Sequence, residues 1–359
     1  MLLWIEGFDN FGTTVGAVPS PTGVVARKYS VVAAETYMDV DTGRLGGYSL
    51  QLETDTTCYV SPGNLTTNAT VTLGFAAKWK TSWPWPSAQQ FAALYDGTTQ
   101  GMNLYVTTVG EVSVRRGTTV LATTSGLGLS LGAWAYFEFQ VTCAASGSYE
   151  LRVNGVNVLS ASGVNTKAGS NNYHTTFRLT GTGGIDSFAV VFDDLYFLDA
   201  SGSLNTTFLG NMRVTTIRPD GDDADNKQWT PGTGSDHSAL VDEAVAGTEA
   251  NEEGSNLDYV QDTVSGHLDL YTYAALAGVT SGIAGVQINT DCRNTDTTSY
   301  SLKTPVKSGA TESDDTAQVI GSTNYVTKHR VVETDPDTAP LVAWTADGIN
   351  AALFGIKVG

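Results

Sequence analysis

Glu333 and Asp335, in "VVETDPDTA", are the nearest approach to a catalytic carboxylate pair in this sequence. Glucanases built on β-sandwiches carry E-x-D-x-x-E on one strand, where alternation aims nucleophile and acid/base into one cleft. Here Pro336 ends the strand and no third acid stands in register, so the segment reads as a turn. The four histidines, His174, His237, His267 and His329, form no HxH, HExxH or HxxxH spacing. "GTGSDH" holds Ser235, Asp236 and His237 side by side, whereas the members of a catalytic triad converge from separate elements. There is no P-loop, no G-x-S-x-G and no dinucleotide fingerprint. These observations lead to the expectation that the protein is not an enzyme.

Binding chemistry has more candidates. Calcium takes six to eight oxygen ligands, and two groups of acids could supply some of them. Glu6 and Asp9 follow the first strand, and Asp193 and Asp194 sit in the last strand of the first domain. First and last strands of a jelly roll commonly lie side by side, so these four are candidate calcium ligands. The second group is "DGDDADN", Asp220 to Asn226, which lacks the EF-hand's sixth-position glycine and distal glutamate. For both groups the plain alternative is acids that face solvent or cap turns. No other cofactor is expected.

Trp79, Trp83 and Trp85, in "WKTSWPWPSAQQ", are the candidates for sugar stacking or subunit contact. The prolines keep that loop stiff and off the strand ladder, which favours exposure of Trp83 and Trp85. Trp4, Trp134 and Trp344 stand in apolar, strand-like contexts and read as core. The apolar end "AALFGIKVG" makes Phe354, Ile356 and Val358 either a central strand or a contact surface between subunits.

The elements that would position these residues are short strands. In "GSYELRVNGVNVLSASG", residues 147–163, Tyr149, Leu151 and Val153 alternate with Glu150 and Arg152. Asn154-Gly155 then tolerates the two positive-φ positions of a type I′ turn, giving a hairpin with Leu151 facing inward. Comparable runs cover 70–79, 90–97, 101–124, 133–143, 173–181 and 188–199. In 133–143, Trp134, Tyr136 and Phe137 near the start, and Phe139 and Val141 later, are the expected core residues. Helical periodicity is nearly absent, and the fold class expected is all-β with two β-sandwich domains. Residues 1–200 form the first, a jelly roll, and 257–359 the second, an antiparallel sandwich. Residues 201–256 form an acidic linker or surface excursion whose composition cannot bury a core of its own.

Charge narrows the partners. Acids outnumber bases 37 to 19, for a net charge of −18, which disfavours nucleic acid and anionic membrane surfaces. Cys58, Cys143 and Cys292 share no CxxC spacing and read as reduced core residues. The start "MLLWIEGFDNFG" has no basic region and reaches acids early, so no signal peptide is expected. No run reaches the roughly 18 apolar residues of a membrane span.

Taken in order, "GFAAKW", "NLYVTTVGEVSVRRGTTVLATT", "LSLGAWAYFEFQVT", "GSYELRVNGVNVLSASG" and "FDDLYFLDASG" resemble the concanavalin A-like (laminin-G-like) jelly roll of tailed-bacteriophage structural proteins. "GNMRVTTIRPDG", Trp229-Thr230, "LVDE" at 240–243 and the segment 331–359 resemble the linker and C-terminal part of the same proteins. The resemblance implies a tail or appendage component of the virion, made in the host cytoplasm and acting through assembly with other virion proteins. It also implies a homo-oligomer, a trimer by the symmetry usual in such appendages, with contact to a host surface glycan. The alternatives are a carbohydrate-binding module for host glycan and a decoration protein of the capsid surface.

Overall fold

Asn154 and Gly155 have φ of 50° and 79°, so the hairpin turns on two left-handed residues as a type I′ turn requires. Val153 pairs with Val156 across it. Tyr149, Leu151 and Val153 are buried, while Glu150 and Arg152 alternate with them on the opposite side. The computed structural model describes all of the chain except residues 20–22, 30, 33–36, 54–57, 81–86, 182–188, 244–257, 277 and 280–281.

The described residues divide into two compact units, Met1–Val214 and Thr215–Gly359. The first is a sandwich of two antiparallel sheets. Sheet one runs in the order Val156–Val164, Gly147–Val153, Ala135–Thr142, Thr70–Trp79, Ala189–Asp199, Tyr48–Glu53 and Met38–Thr42, with Leu2–Glu6 also paired to Ala189–Asp199. Sheet two runs Thr119–Thr123, Val112–Arg116, Thr99–Val106, Gln89–Asp96, Thr176–Gly181, Cys58–Ser61 and Val31–Val32. Phe75, Phe91, Phe137, Phe192, Phe177 and Phe197 fill the space between them as a set of stacked, tilted and edge-on ring pairs. The all-β sandwich class expected from the strand pattern is the one observed.

In strand Ala135–Thr142 the core residues Phe137, Phe139 and Val141 are as expected, and Tyr136 and Trp134 differ. Phe137, Phe139 and Val141 face the core, which places Tyr136 on the outer side of sheet one, although it too is buried. Trp134 precedes the strand and is half-buried, with the Lys78 ammonium 4.7 Å from its ring centroid, so it is not a core residue. Trp4 and Trp344 are core.

In the second unit, one sheet runs Pro219–Lys227, Leu268–Tyr273, Leu353–Val358, Tyr300–Lys303 and Gln318–Ile320, and Val306–Ser308 also pairs with Leu353–Val358. A ribbon of Val286–Cys292 and Val326–Val332 contributes Ile288 and Val332 to a core shared with Val306, Trp344 and Phe354. The acidic run 220–226 lies inside the Pro219–Lys227 strand, within the stretch read as a linker. A further part of that stretch, 244–257, lies outside the described residues.

Of the two readings of Phe354, Ile356 and Val358, a central strand or a contact surface, the placement is that of a central strand, which corrects their reading as interface residues. Their strand is central, flanked by Leu268–Tyr273 on one edge and by Tyr300–Lys303 and Val306–Ser308 on the other. All three side chains are buried within the chain's own sheet and cannot reach another subunit.

Candidate functional site

The outer face of sheet two carries the candidate site. Cross-strand pairing aligns Arg178 with Ala93, Ala93 with Asn103, and Asn103 with Arg115, a single row across four strands. A second row joins Gln90, Tyr105 and Ser113. A third joins Thr176 and Tyr95 to Gln100, and Thr180 pairs with Tyr59 on the neighbouring strand. The opposite sides of these strands, Phe177, Leu179, Leu94, Leu104 and Val114 among them, form the core, so alternation turns the polar set outward.

Aromatic rings hold the guanidinium groups in place. Arg178 lies between two tyrosines, its Cζ 4.3 Å from the Tyr59 ring centroid and 3.9 Å from that of Tyr95. Arg115 sits 3.8 Å over Tyr105 and donates from Nε to Ser113 Oγ at 3.2 Å. Behind them runs an amide ladder: Gln100 Nε2 donates to Gln90 Oε1 at 2.8 Å, and Tyr95 Oη donates to Gln100 Oε1 at 3.2 Å. Asn103 Nδ2 donates to the Gly117 carbonyl at 3.0 Å. Burial raises the Tyr105 hydroxyl above its ordinary pKa, against the pull of Arg115, so it stays protonated at neutral pH.

Three polar atoms of these strands are buried without a partner: Arg178 Nε, Asn103 Oδ1 and Thr180 Oγ1. Asn103 and Thr180 are almost fully buried, so they form part of the floor of this face, and the half-buried Arg178, Arg115, Tyr59 and Tyr105 form its accessible part. Arg178, half-buried, makes no hydrogen bond and no ion pair among the described residues.

The residues singled out from sequence fall elsewhere. Trp79 is core, edge-on to Phe91 and Phe137 at 5.3 and 5.9 Å, which corrects its reading as a glycan or interface residue. Trp83 and Trp85 lie outside the described residues.

The four acids proposed for calcium are close to the expected strand junction, since Leu2–Glu6 pairs with Ala189–Asp199. Each nonetheless has a protein partner. Glu6 receives the Tyr29 hydroxyl at 3.0 Å and pairs with Lys28 at 2.7 Å. Asp9 Oδ1 accepts the Tyr48 amide, and Asp193 Oδ2 accepts the Arg44 amide, both from one turn. Gly47 in that turn has φ of 68°, and a Cβ there would stand 2.2 Å from Asp9 Oδ1, so only glycine fits. Asp194 Oδ2 pairs with Arg44 Nε at 2.6 Å, and its Oδ1 accepts the Val214 amide at 2.7 Å. Burial, with Asp194 and Asp9 nearby, pushes the Asp193 carboxyl up to about 8. Among the described residues no group of three or more His, Cys, Asp or Glu side chains is arranged to hold a metal ion.

The acids of 220–226 also have protein partners. Asp222 accepts the amides of His237 and Ser238, and Asp220 accepts the Thr272 hydroxyl. His237 meets an acid from a separate element after all. Its Nδ1 is 2.6 Å from Asp269 Oδ2, whose other oxygen accepts the Gln228 and Trp229 amides. Ser238 Oγ donates to Asp236 instead, and no serine hydroxyl bonds the His237 ring among the described residues, so no triad forms. Asp335 caps the turn read from its sequence, accepting the Asp337 amide at 3.0 Å.

No family model matches the chain, and no curated protein matches it. Among solved structures it is similar to an endo-β-1,4-glucuronan lyase from the fungus Trichoderma reesei, at 17% identity and a TM-score of 0.38, covering 47% of this chain and 90% of that one. The alginate lyase Aly36B is similar at 12% identity and a TM-score of 0.40, over 54% of this chain and 96% of that one. The receptor-binding domain of botulinum neurotoxin type G is similar at 8% identity and a TM-score of 0.33, over 50% of this chain and 47% of that one. The expectation that the chain is not an enzyme is corrected by these neighbours, several of which are polysaccharide lyases. That expectation rested on the missing glucanase carboxylates, histidine spacings, triad and nucleotide-binding motifs.

Proposed function

We propose that this protein binds a glycan on the outer face of sheet two, as a component of a tailed-phage virion that contacts the host surface. The observation that carries the glycan reading is the Arg178 guanidinium held between Tyr59 and Tyr95, on the same face as Arg115 stacked over Tyr105. Tyrosine rings offer apolar faces for sugar C–H surfaces, and the amide ladder offers donors and acceptors for hydroxyls. Half-burial on rigid strands holds this set in one geometry before the ligand arrives, which lowers the entropic cost of binding.

The test is an array of bacterial surface polysaccharides probed with the full chain. Retention of one or more is the expected result, weakened by Tyr59→Ala and by Tyr105→Ala. Binding that survives both substitutions, or no binding across the array, overturns the reading. The virion setting rests on the order of the motifs, and mass spectrometry of purified particles that lack the chain would overturn it.

A further inference from the structure

We infer that the ligand of this face is an extended polyanionic glycan whose repeating carboxylates meet Arg178 and Arg115; the inference rests on the glycan-binding reading above. Charge is its first ground. The chain has a net charge of −18, yet the strands of sheet two turn Arg115 and Arg178 to the outer face and contain one acid, Asp96; Arg116 alternates with Arg115 and lies on the other side. Asp96 stands at a strand end, where it accepts from Asn171 Nδ2 at 2.7 Å, away from the row that joins the two arginines. A neutral partner gains nothing from cations concentrated on one face of an acidic protein. An anionic partner is drawn to that face and repelled by the rest of the surface.

Geometry is the second ground. Arg178 and Arg115 are three strands apart along one row, about 14 Å at the usual inter-strand spacing. That separation is too wide for one small anion and suits two charges of one extended chain. Ala93 and Asn103 between them are buried and form the floor of the row. The planar fork of a guanidinium matches a carboxylate bidentately.

The rings on the face choose the kind of polyanion. Tyr59 and Tyr105 are only half-buried, beside Arg178 and Arg115. A sugar ring offers C–H surface to such faces, whereas polyphosphate has none. Carboxylates and hydroxyls alternating along one chain are the composition of a polyuronate.

The experiment is calorimetry on the full chain at low salt with polygalacturonate, the same polymer methyl-esterified, and polyphosphate of similar length. Polymannuronate and polyglucuronate serve as further arms. Expected are binding of a polyuronate, loss of affinity as salt is raised, and weakening by about tenfold or more with Arg178→Gln. Arg178→Lys keeps the charge but loses the planar stack, and most of the affinity goes with it. Arg152→Gln, on sheet one, leaves binding unchanged. The thermal transition of Arg178→Gln is the folding control; should it shift, Arg115→Gln and the ester comparison carry the test.

Equal affinity for the esterified polymer would overturn the anionic inference and leave the glycan reading standing. Equal affinity for polyphosphate would reduce the face to a charged strip and also overturn it. No binding of any polyuronate, with binding of a neutral polysaccharide on the array, again sinks only the inference. No binding of any polymer sinks both.

Discussion

The first unit has two outer faces, and they treat their polar groups in opposite ways. On sheet one, residues of the segment 207–214 lie along the strands. Tyr196 Oη donates to Glu138 Oε1 at 2.6 Å, the Gly210 amide donates to the same oxygen, and the Leu209 amide donates to Tyr196 Oη. Arg44 pairs with Asp194, donates to Asn211 Oδ1 and the Met212 carbonyl, and stands 5.0 Å over the Tyr136 ring. On sheet two the guanidinium is equally well stacked, but nothing in the described chain accepts its hydrogens. The difference separates charge used to hold the chain together from charge left for a partner. Sheet one has exceptions among the described residues: Glu138 Oε2 and Asp41 Oδ2 are buried without a hydrogen bond, the latter 2.9 Å from the Lys80 ammonium.

The comparison breaks most readily at its most buried points. Leu151→Asp places an unpaired charge in the sandwich core, and a loss of several kcal/mol is expected from urea denaturation. Arg44→Ala leaves Asp194 as a buried carboxylate without its partner, at a cost of about 3–5 kcal/mol, while polysaccharide binding on sheet two stays intact. A loss of binding in Arg44→Ala would mean the two faces are coupled.

Acidity sharpens the contrast. The folded pKa of Asp193 lies above its ordinary value, so the native state holds a proton that the unfolded chain releases. Its contribution is therefore fully present at acid pH and is lost as pH rises toward about 8. Asp193→Asn should flatten the fall in the first unit's melting temperature between pH 5 and 8. An unchanged slope would place the titrating group elsewhere. The smallest effect is expected of Arg152→Ala. The Arg152 guanidinium pairs with Glu150 and lies over Phe208, but a third of it is exposed, and solvent screening keeps the loss within about 0.5 kcal/mol.

The hairpin was legible because Asn154-Gly155 and the alternation of Tyr149, Leu151 and Val153 agree on one register. Strand 135–142 was misread in part because both of its sides are buried, Phe137 by the core and Tyr136 under the covering segment, which erases the alternation. The strands Met38–Thr42 and Tyr48–Glu53 carry too many polar residues to stand out. The face on sheet two has no local signature at all. Tyr59, Ala93, Asn103, Arg115 and Arg178 come from five strands and meet only through pairing. The one available signal was Arg178 itself, a lone cation in a strand between Phe177 and Leu179. The acids were conspicuous in sequence for a structural reason: the Asp193–Asp194 bulge and Asp9 receive the amides of a turn that must be held against the sheet.

The covering segment also bears on how the protein carries load. A pull transmitted along the chain from beyond Val214 reaches the Asp194 carboxylate at the Val214 amide, then the Arg44 contacts at Met212 and Asn211, then Glu138 at Gly210. These attachments are side-chain bonds arranged one after another along the segment, so they would part in sequence, as a zip does. The strands of sheet one, bonded side by side, share a load and yield together. Under tension, the first unit would therefore release several residues of slack while its sandwich, and the arginine row on sheet two, stayed whole.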